Sequence, residues 1–377
     1  MPIATAHHAE HVGSLLRSPE LLEARAAYRA GTLPIEGLRE AEDRAALDAL
    51  ELQRQAGIEI FTDGEVRREN WMASLLQELG GTQPAPPVDR QVSWRRESGD
   101  DPPPEETHFD SVVVAERVYL KEALTSVEAS FLQKHAPGQF KITMMSGSMG
   151  AVLWSPGLTD RVYASPEDML QAVVGVQIGE IEGLLESGVS WIQLDSLSYN
   201  WIIDEGARAR RAIDQDVGTE GMLDRAVRLD NQLIAAARAK NPSVTIGLHF
   251  CRGNNRSAWF ASGGYDPVAE KLFGEVDADR FLLEYDTERS GGFEPLRYVP
   301  RGKTVVLGLV SSKLPEPEPV DALQRRIEEA SKYVPLEDLA LSPQCGFAST
   351  AAGNLLTVDQ ERRKLELVVE AARKVWG

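Results

Sequence analysis

Eight short apolar runs, nearly all separated by amphipathic helical stretches, constrain this chain more than any other feature. The runs are His11–Leu15, Ile58–Glu65, Phe140–Met145, Ser190–Asp195, Ser243–Phe250, Arg280–Tyr285, Lys303–Val310 and Leu339–Pro343. Between them the sequence predicts helices over Pro34–Ala56, Pro166–Ser187, Glu220–Lys240, Asp266–Phe273 and Pro319–Lys332, with a closing helix over Thr357–Val375. Another helix is signalled at Ser18-Pro19-Glu20, where a capping residue precedes proline. Strand–helix alternation of this kind makes a parallel sheet with helices outside it. Eight repeats in 377 residues favour an α/β fold of the (β/α)8 TIM-barrel type over an open nucleotide-binding sheet. The competitor also lacks its loop, since no Gly-x-Gly-x-x-Gly or Walker-type motif follows any run.

The pattern breaks once. From about residue 80 to 138 the chain is polar and proline-containing, with a loop at Asp101–Glu105 and a strand-like Ser111–Val114. The expectation is a single barrel domain over 1–377 carrying an insertion, 80–138, after the second strand.

A formal net charge of −18 argues against nucleic acid or an anionic membrane as partner. No apolar run is long enough to span a bilayer, and Met1–Val12 lacks the apolar core of a signal peptide, so a cytoplasmic protein is expected. Barrel enzymes of this size often assemble, so a homo-oligomer is allowed, but no stretch identifies an interface.

In a barrel, catalytic groups sit at the C-terminal ends of the strands. Those ends carry Ser14, Glu65, Ser146, Asp195, His249 with Cys251, Glu284, Lys313 and Cys345. The ring gathers both cysteines of the chain. Two distant cysteines in a large cytoplasmic protein speak for thiols rather than a disulfide. Alternation along a strand points His249 and Cys251 to one side. His249, Cys251, Glu284 and Cys345 together offer one nitrogen, two sulfurs and one oxygen, a donor set suited to zinc. A reactive site of this composition exchanges its carboxylate for an incoming thiol, whose pKa the ion then lowers. Other chemistries are poorer matches. A Ser-His-Asp triad must use His249, and a paired-carboxylate glycosidase leaves both cysteines unexplained.

With these residues in place, the chain resembles the catalytic barrel of the cobalamin-independent methionine synthase family, and more closely its single-barrel members. His249-x-Cys251, Glu284 and Cys345 match the family's zinc ligands. Val12-Gly13-Ser14, Gly64-Glu65 and Gln193-Leu194-Asp195 match segments that hold homocysteine, and Trp154 falls where the family has a tryptophan beside the pterin. The resemblance implies Zn2+ as cofactor and a small-molecule thiol and an alkyl donor as partners. Three departures stand out: the second, N-terminal barrel of the full-length synthase has no counterpart, Lys313 replaces a histidine, and Ser196-Leu197 replaces an acidic-proline pair. The single-barrel branch also includes epoxyalkane:coenzyme M transferases. Either reaction is attack of a metal-bound thiolate on an electrophilic carbon. An opening epoxide needs a proton, for which Lys313 and Tyr199 are candidates. Homocysteine's amine suits Glu65 and Asp195, whereas a sulfonate suits Arg17, Arg67, Arg252 or Arg256. The residues alone do not choose between methyl transfer and epoxide opening. Outside enzymes, the competing reading is a zinc-stabilised methyl-carrier-binding protein without turnover.

Overall fold

The computed structural model describes residues 7–85, 94–96, 112–121, 123–204, 206, 213 and 217–377. Helix α1 (Pro19–Arg29) starts at Ser18, whose hydroxyl accepts the Leu21 N–H. Helix α2 (Ile35–Ala56) buries Leu38, Ala45, Ala49 and Leu50 and stops at Gly57, whose φ of 85° suits glycine. After β1 (Ile60–Phe61) come the single turn α3 (Ala73–Leu76) and the antiparallel pair β2 (Leu79–Pro84) and β3 (Val112–Leu120). Then follow α4 (Leu124–His135), β4 (Gln139–Phe140), β5 (Ile142–Met145), α5 (Pro166–Glu186), β6 (Trp191–Asp195) and the single turn α6 (Asn200–Ile203). The alternation ends with α7 (Thr219–Lys240), β7 (Thr245–Phe250), α8 (Ala269–Glu275), β8 (Arg280–Glu284), β9 (Thr304–Val310), α9 (Val320–Ala330), β10 (Leu339–Pro343) and α10 (Val358–Trp376).

Strands β5 to β10 form one parallel sheet in sequence order, each hydrogen-bonded to the next. Its outer edges are carried further. Ala9 bridges Leu341 of β10 in parallel, β4 runs straight into β5, and β1 pairs with β4. The Leu15 N–H donates to Gly64 O, linking the N-terminal segment to the β1 side. The pairing thus runs round the ring that a (β/α)8 barrel requires, with buried Ile192, Leu194, Ile246, Leu248, Phe281, Leu283, Val305 and Leu307 packed among the surrounding helices and Leu282, Val306 and Ala340 in a separate cluster on the opposite face.

Two expected strands are shorter or displaced. His11–Leu15 forms no regular ladder, and the pairing lies earlier, at His8–Glu10 against Leu341. The reason is that side chains take the backbone acceptors there: Lys141 Nζ donates to His11 O and Gln193 Nε2 to Val12 O. The second run is ordered as a strand only over Ile60–Phe61, because both backbone groups of Thr62 are bound by the Gln53 amide. In the range 80–138, β2 and β3 pair as a hairpin, whereas the Asp101–Glu105 loop and Ser111 lie outside the described residues. The same range contains α4, whose Ala129 and Leu132 enter the main core. Residues 94–96 reach the loop after β7, where Arg95 pairs with Trp259.

Candidate metal centre and thiol site

His249 is the penultimate residue of β7, in register with Asp195 on β6 and Leu282 on β8. Cys251 is the first residue past β7, two after His249, and Cys345 lies just past β10. Gly308 on β9 makes this convergence possible: a Cβ there would lie 2.7 Å from Gln344 Cα, so only glycine lets the chain before Cys345 come so close. The ligand atoms of His249, Cys251 and Cys345 all lie within 4.8 Å of one another, and all three residues are buried.

These donors meet the requirements of a metal ion. The two sulfurs are 3.5 Å apart, too far for a disulfide. Two thiolates bound at about 2.3 Å to one tetrahedral ion lie about 3.8 Å apart, close to that spacing. His249 Nδ1 is hydrogen-bonded to Leu282 O at 3.1 Å, leaving Nε2 buried with no hydrogen-bond partner. Metal-binding histidines are oriented in this way. The contact between the sulfurs holds the Cys345 thiol well below its usual range and pushes Cys251 well above, so one proton serves both. Burial disfavours a charged His249, but the Cys345 thiolate and Asp195 outweigh it and raise its pKa.

Glu284, expected as a fourth ligand, is not among the three converging residues. One of its oxygens accepts the Arg252 backbone N–H at 2.7 Å, and the other accepts from the Arg289 guanidinium. Burial raises its pKa to about 7, against the pull of Lys313 and Arg252. Lys313 is buried with Nζ 3.8 Å from Glu284 Oε1 and no hydrogen-bond partner among the described residues. Its charge favours the thiolate at both cysteines.

Of the residues expected to hold substrate, Asp195 is in register with His249, Glu65 lies close enough to Asp195 to interact with its charge, and Ser14 touches Gly346 beside Cys345. Ser14 is buried against Gly346, where a Cβ would lie 2.0 Å from its Oγ. Glu65 adopts a left-handed backbone, φ 55°, with its N–H bonded to Asp63. Such a conformation in a non-glycine residue is costly and aims a side chain where the fold alone would not. Its Oε1 accepts from Thr143 at 2.9 Å, while Oε2 is buried without a hydrogen-bond partner. Asp195 is pushed up to about 7 by burial and Glu65, with His249 opposing. Trp154 ends the turn Gly147–Leu153 and packs half-buried on the core.

Two expected residues are engaged elsewhere. The Arg17 guanidinium donates to four backbone carbonyls, those of Ala348, Thr350, Glu65 and Arg68. Tyr199 is buried among aromatics with its hydroxyl donated to Asp230 at 2.8 Å. Two residues escaped the sequence reading. Arg289 holds Glu284, and its place five residues after that ligand, in the same strand-end loop, was the available signal. Arg68 braces Glu65 from 3.9 Å while bonded to Glu128 and Thr143, and nothing local marks it.

Comparison with known proteins agrees with this geometry. Residues 7–374 match the family model described as the cobalamin-independent synthase, catalytic domain. The uncharacterized protein YxjH of Bacillus subtilis (strain 168) is 36% identical over 98% of this chain and 94% of its own length. A methionine synthase of Pyrococcus abyssi is 23% identical over 89% of this chain and 85% of its own. A crystal structure from Listeria monocytogenes, described as a candidate vitamin-B12-independent methionine synthase, superposes with a TM-score of 0.73 at 29% identity, covering 98% of each chain. With nearly its whole length matched, the chain belongs to the family of the cobalamin-independent synthase catalytic domain.

Proposed function

We propose that this chain is a zinc enzyme that alkylates a small organic thiol, with homocysteine as acceptor and a methyl group as the unit transferred. The observation that carries this is the convergence of His249, Cys251 and Cys345 beside two buried carboxylates, Glu65 and Asp195. Zinc held by those three donors would lower the pKa of an added thiol and favour its thiolate. The protein's own groups supply the rest. Asp195 and Glu65 pair with the ammonium of the acceptor, which an amine-free thiol leaves unmatched. Lys313 adds positive charge beside the sulfurs, and Glu284 is held back by Arg252 and Arg289, leaving room for a fourth donor.

Three of the four arginines suited to a sulfonate are engaged, which weighs against coenzyme M, while the fourth, Arg256, is exposed. Arg17 is spent on carbonyls, Arg67 on Asp43, and Arg252 on Gly263 O. Relatives named methionine synthase favour methyl transfer over epoxide opening. The test follows thiol loss with homocysteine or coenzyme M, each against methyl-folate, methylcobalamin and epoxypropane. Homocysteine consumption with a methyl donor is expected. Turnover confined to coenzyme M with epoxypropane overturns the acceptor and donor together. Stoichiometric zinc with no turnover of any pair favours a carrier-binding protein instead.

A further inference from the structure

Barrel interiors are ordinarily filled by branched apolar side chains. Here a buried ammonium stands at the junction of β4 and β5. Lys141 Nζ donates to Glu10 Oε1 at 2.7 Å, to His11 O at 2.5 Å and to Gln193 Oε1 at 2.6 Å. An ammonium has three donors, and all three are used. Glu10 is anchored from its other oxygen by Arg280, at 3.0 and 2.8 Å.

The consequence falls on Gln193. With its oxygen held by Lys141, its NH2 group faces the other way, donating to Val12 O and to Asp195 Oδ1, both at 2.8 Å. A flipped amide would set NH2 against the ammonium and oxygen against the carboxylate, two repulsions in a medium of low dielectric. We propose that Lys141 and Gln193 are positioning residues for the thiol substrate. Lys141 fixes the amide of Gln193, and Gln193 aims the Asp195 carboxylate and the backbone leading to Ser14. This rests on the reading that Asp195 receives the acceptor's ammonium. The relay joins one end of the barrel interior to its rim, and neither of its two members touches the reacting atoms.

Gln193→Met removes both hydrogen-bonding roles at similar volume and leaves Lys141 two acceptors. Homocysteine and 4-mercaptobutyrate, which lacks the amine, are compared as acceptors in the wild type, Gln193→Met and Lys141→Met. In each variant the KM for homocysteine is expected to rise about tenfold, the effect of about 1.4 kcal/mol. The change in kcat is smaller, and 4-mercaptobutyrate suffers less, so the preference for the amine-bearing thiol collapses. Equal losses for both thiols, or an undiminished preference, overturn the relay. The crystal structure of Gln193→Met reads it without substrate. A displaced Asp195 carboxylate supports the relay, and one that keeps its place refutes it. Failure of the wild type to use homocysteine overturns the proposed function instead, and the Asp195 position still decides the relay.

Discussion

Two of the clusters of buried ionisable groups, one in the barrel interior and one at its rim, differ in how completely their polar atoms are matched. In the interior, the Lys141 ammonium meets three acceptors, and both oxygens of Glu10 are taken by Lys141 and Arg280. At the rim, His249 Nε2, Lys313 Nζ and Glu65 Oε2 are buried with no hydrogen-bond partner among the described residues. A buried polar atom left unmatched costs about 1–3 kcal/mol, so a folded chain tolerates several together only where something else is to bind. The matched cluster holds the barrel and aims its neighbours. On the proposed function, the unmatched one is where a metal and a substrate would bind.

That contrast can be broken by mutation. The largest expected effect is at the rim. Cys251→Ser with Cys345→Ser should abolish stoichiometric zinc and thiol alkylation, while the metal-free protein keeps its stability to within about 2 kcal/mol in urea unfolding. Full zinc retention would sink the metal centre. In the interior the pattern should reverse. Lys141→Met leaves Glu10 Oε1, His11 O and Gln193 Oε1 without their donor while Arg280 still holds Glu10, and should lower the unfolding free energy by about 3 kcal/mol, read from the same urea titration, with zinc still bound. An unchanged midpoint would mean the network holds nothing.

Smaller effects sharpen the comparison. Lys313→Met removes the charge that favours both thiolates, so zinc affinity measured by chelator competition should fall about 10–100-fold. The pH dependence follows from Asp195, whose pKa is raised to about 7. Its neutral form is the one the fold prefers, so its contribution to stability is lost as pH rises through about 7. An incoming ammonium prefers the carboxylate. The KM for homocysteine should therefore fall across that same interval, a limb that 4-mercaptobutyrate lacks. The least effect is expected from Tyr199→Phe, because its hydroxyl serves Asp230 and not the metal site. It should cost about 1 kcal/mol of stability and leave the transfer rate near wild type.

Much of this site is legible along the chain because strand ends are legible. His249, Cys251, Asp195 and Cys345 follow buried apolar runs, and a parallel barrel sends all such ends to one rim. Arg17 and Tyr199 were less legible, because a guanidinium or hydroxyl carries no sign of which partner it will meet. Arg17 ends among four carbonyls from two separate loops, the one after β1 and the one after β10. Glu284 shows the same limit: its position at the end of β8 is local, but the Arg252 N–H that binds it comes from the loop after β7.

The sequence by itself determined the alternation, the donor types and the order in which they come round the barrel, since these depend on periodicity and residue chemistry. Only the tertiary structure decided which donors converge, that Glu284 is bound by the Arg252 N–H and Arg289, and that Lys141 sets Gln193 against Asp195. Those outcomes depend on hydrogen bonds between residues far apart in the chain. Such bonds are fixed by the closure of the ring and leave no local periodic trace.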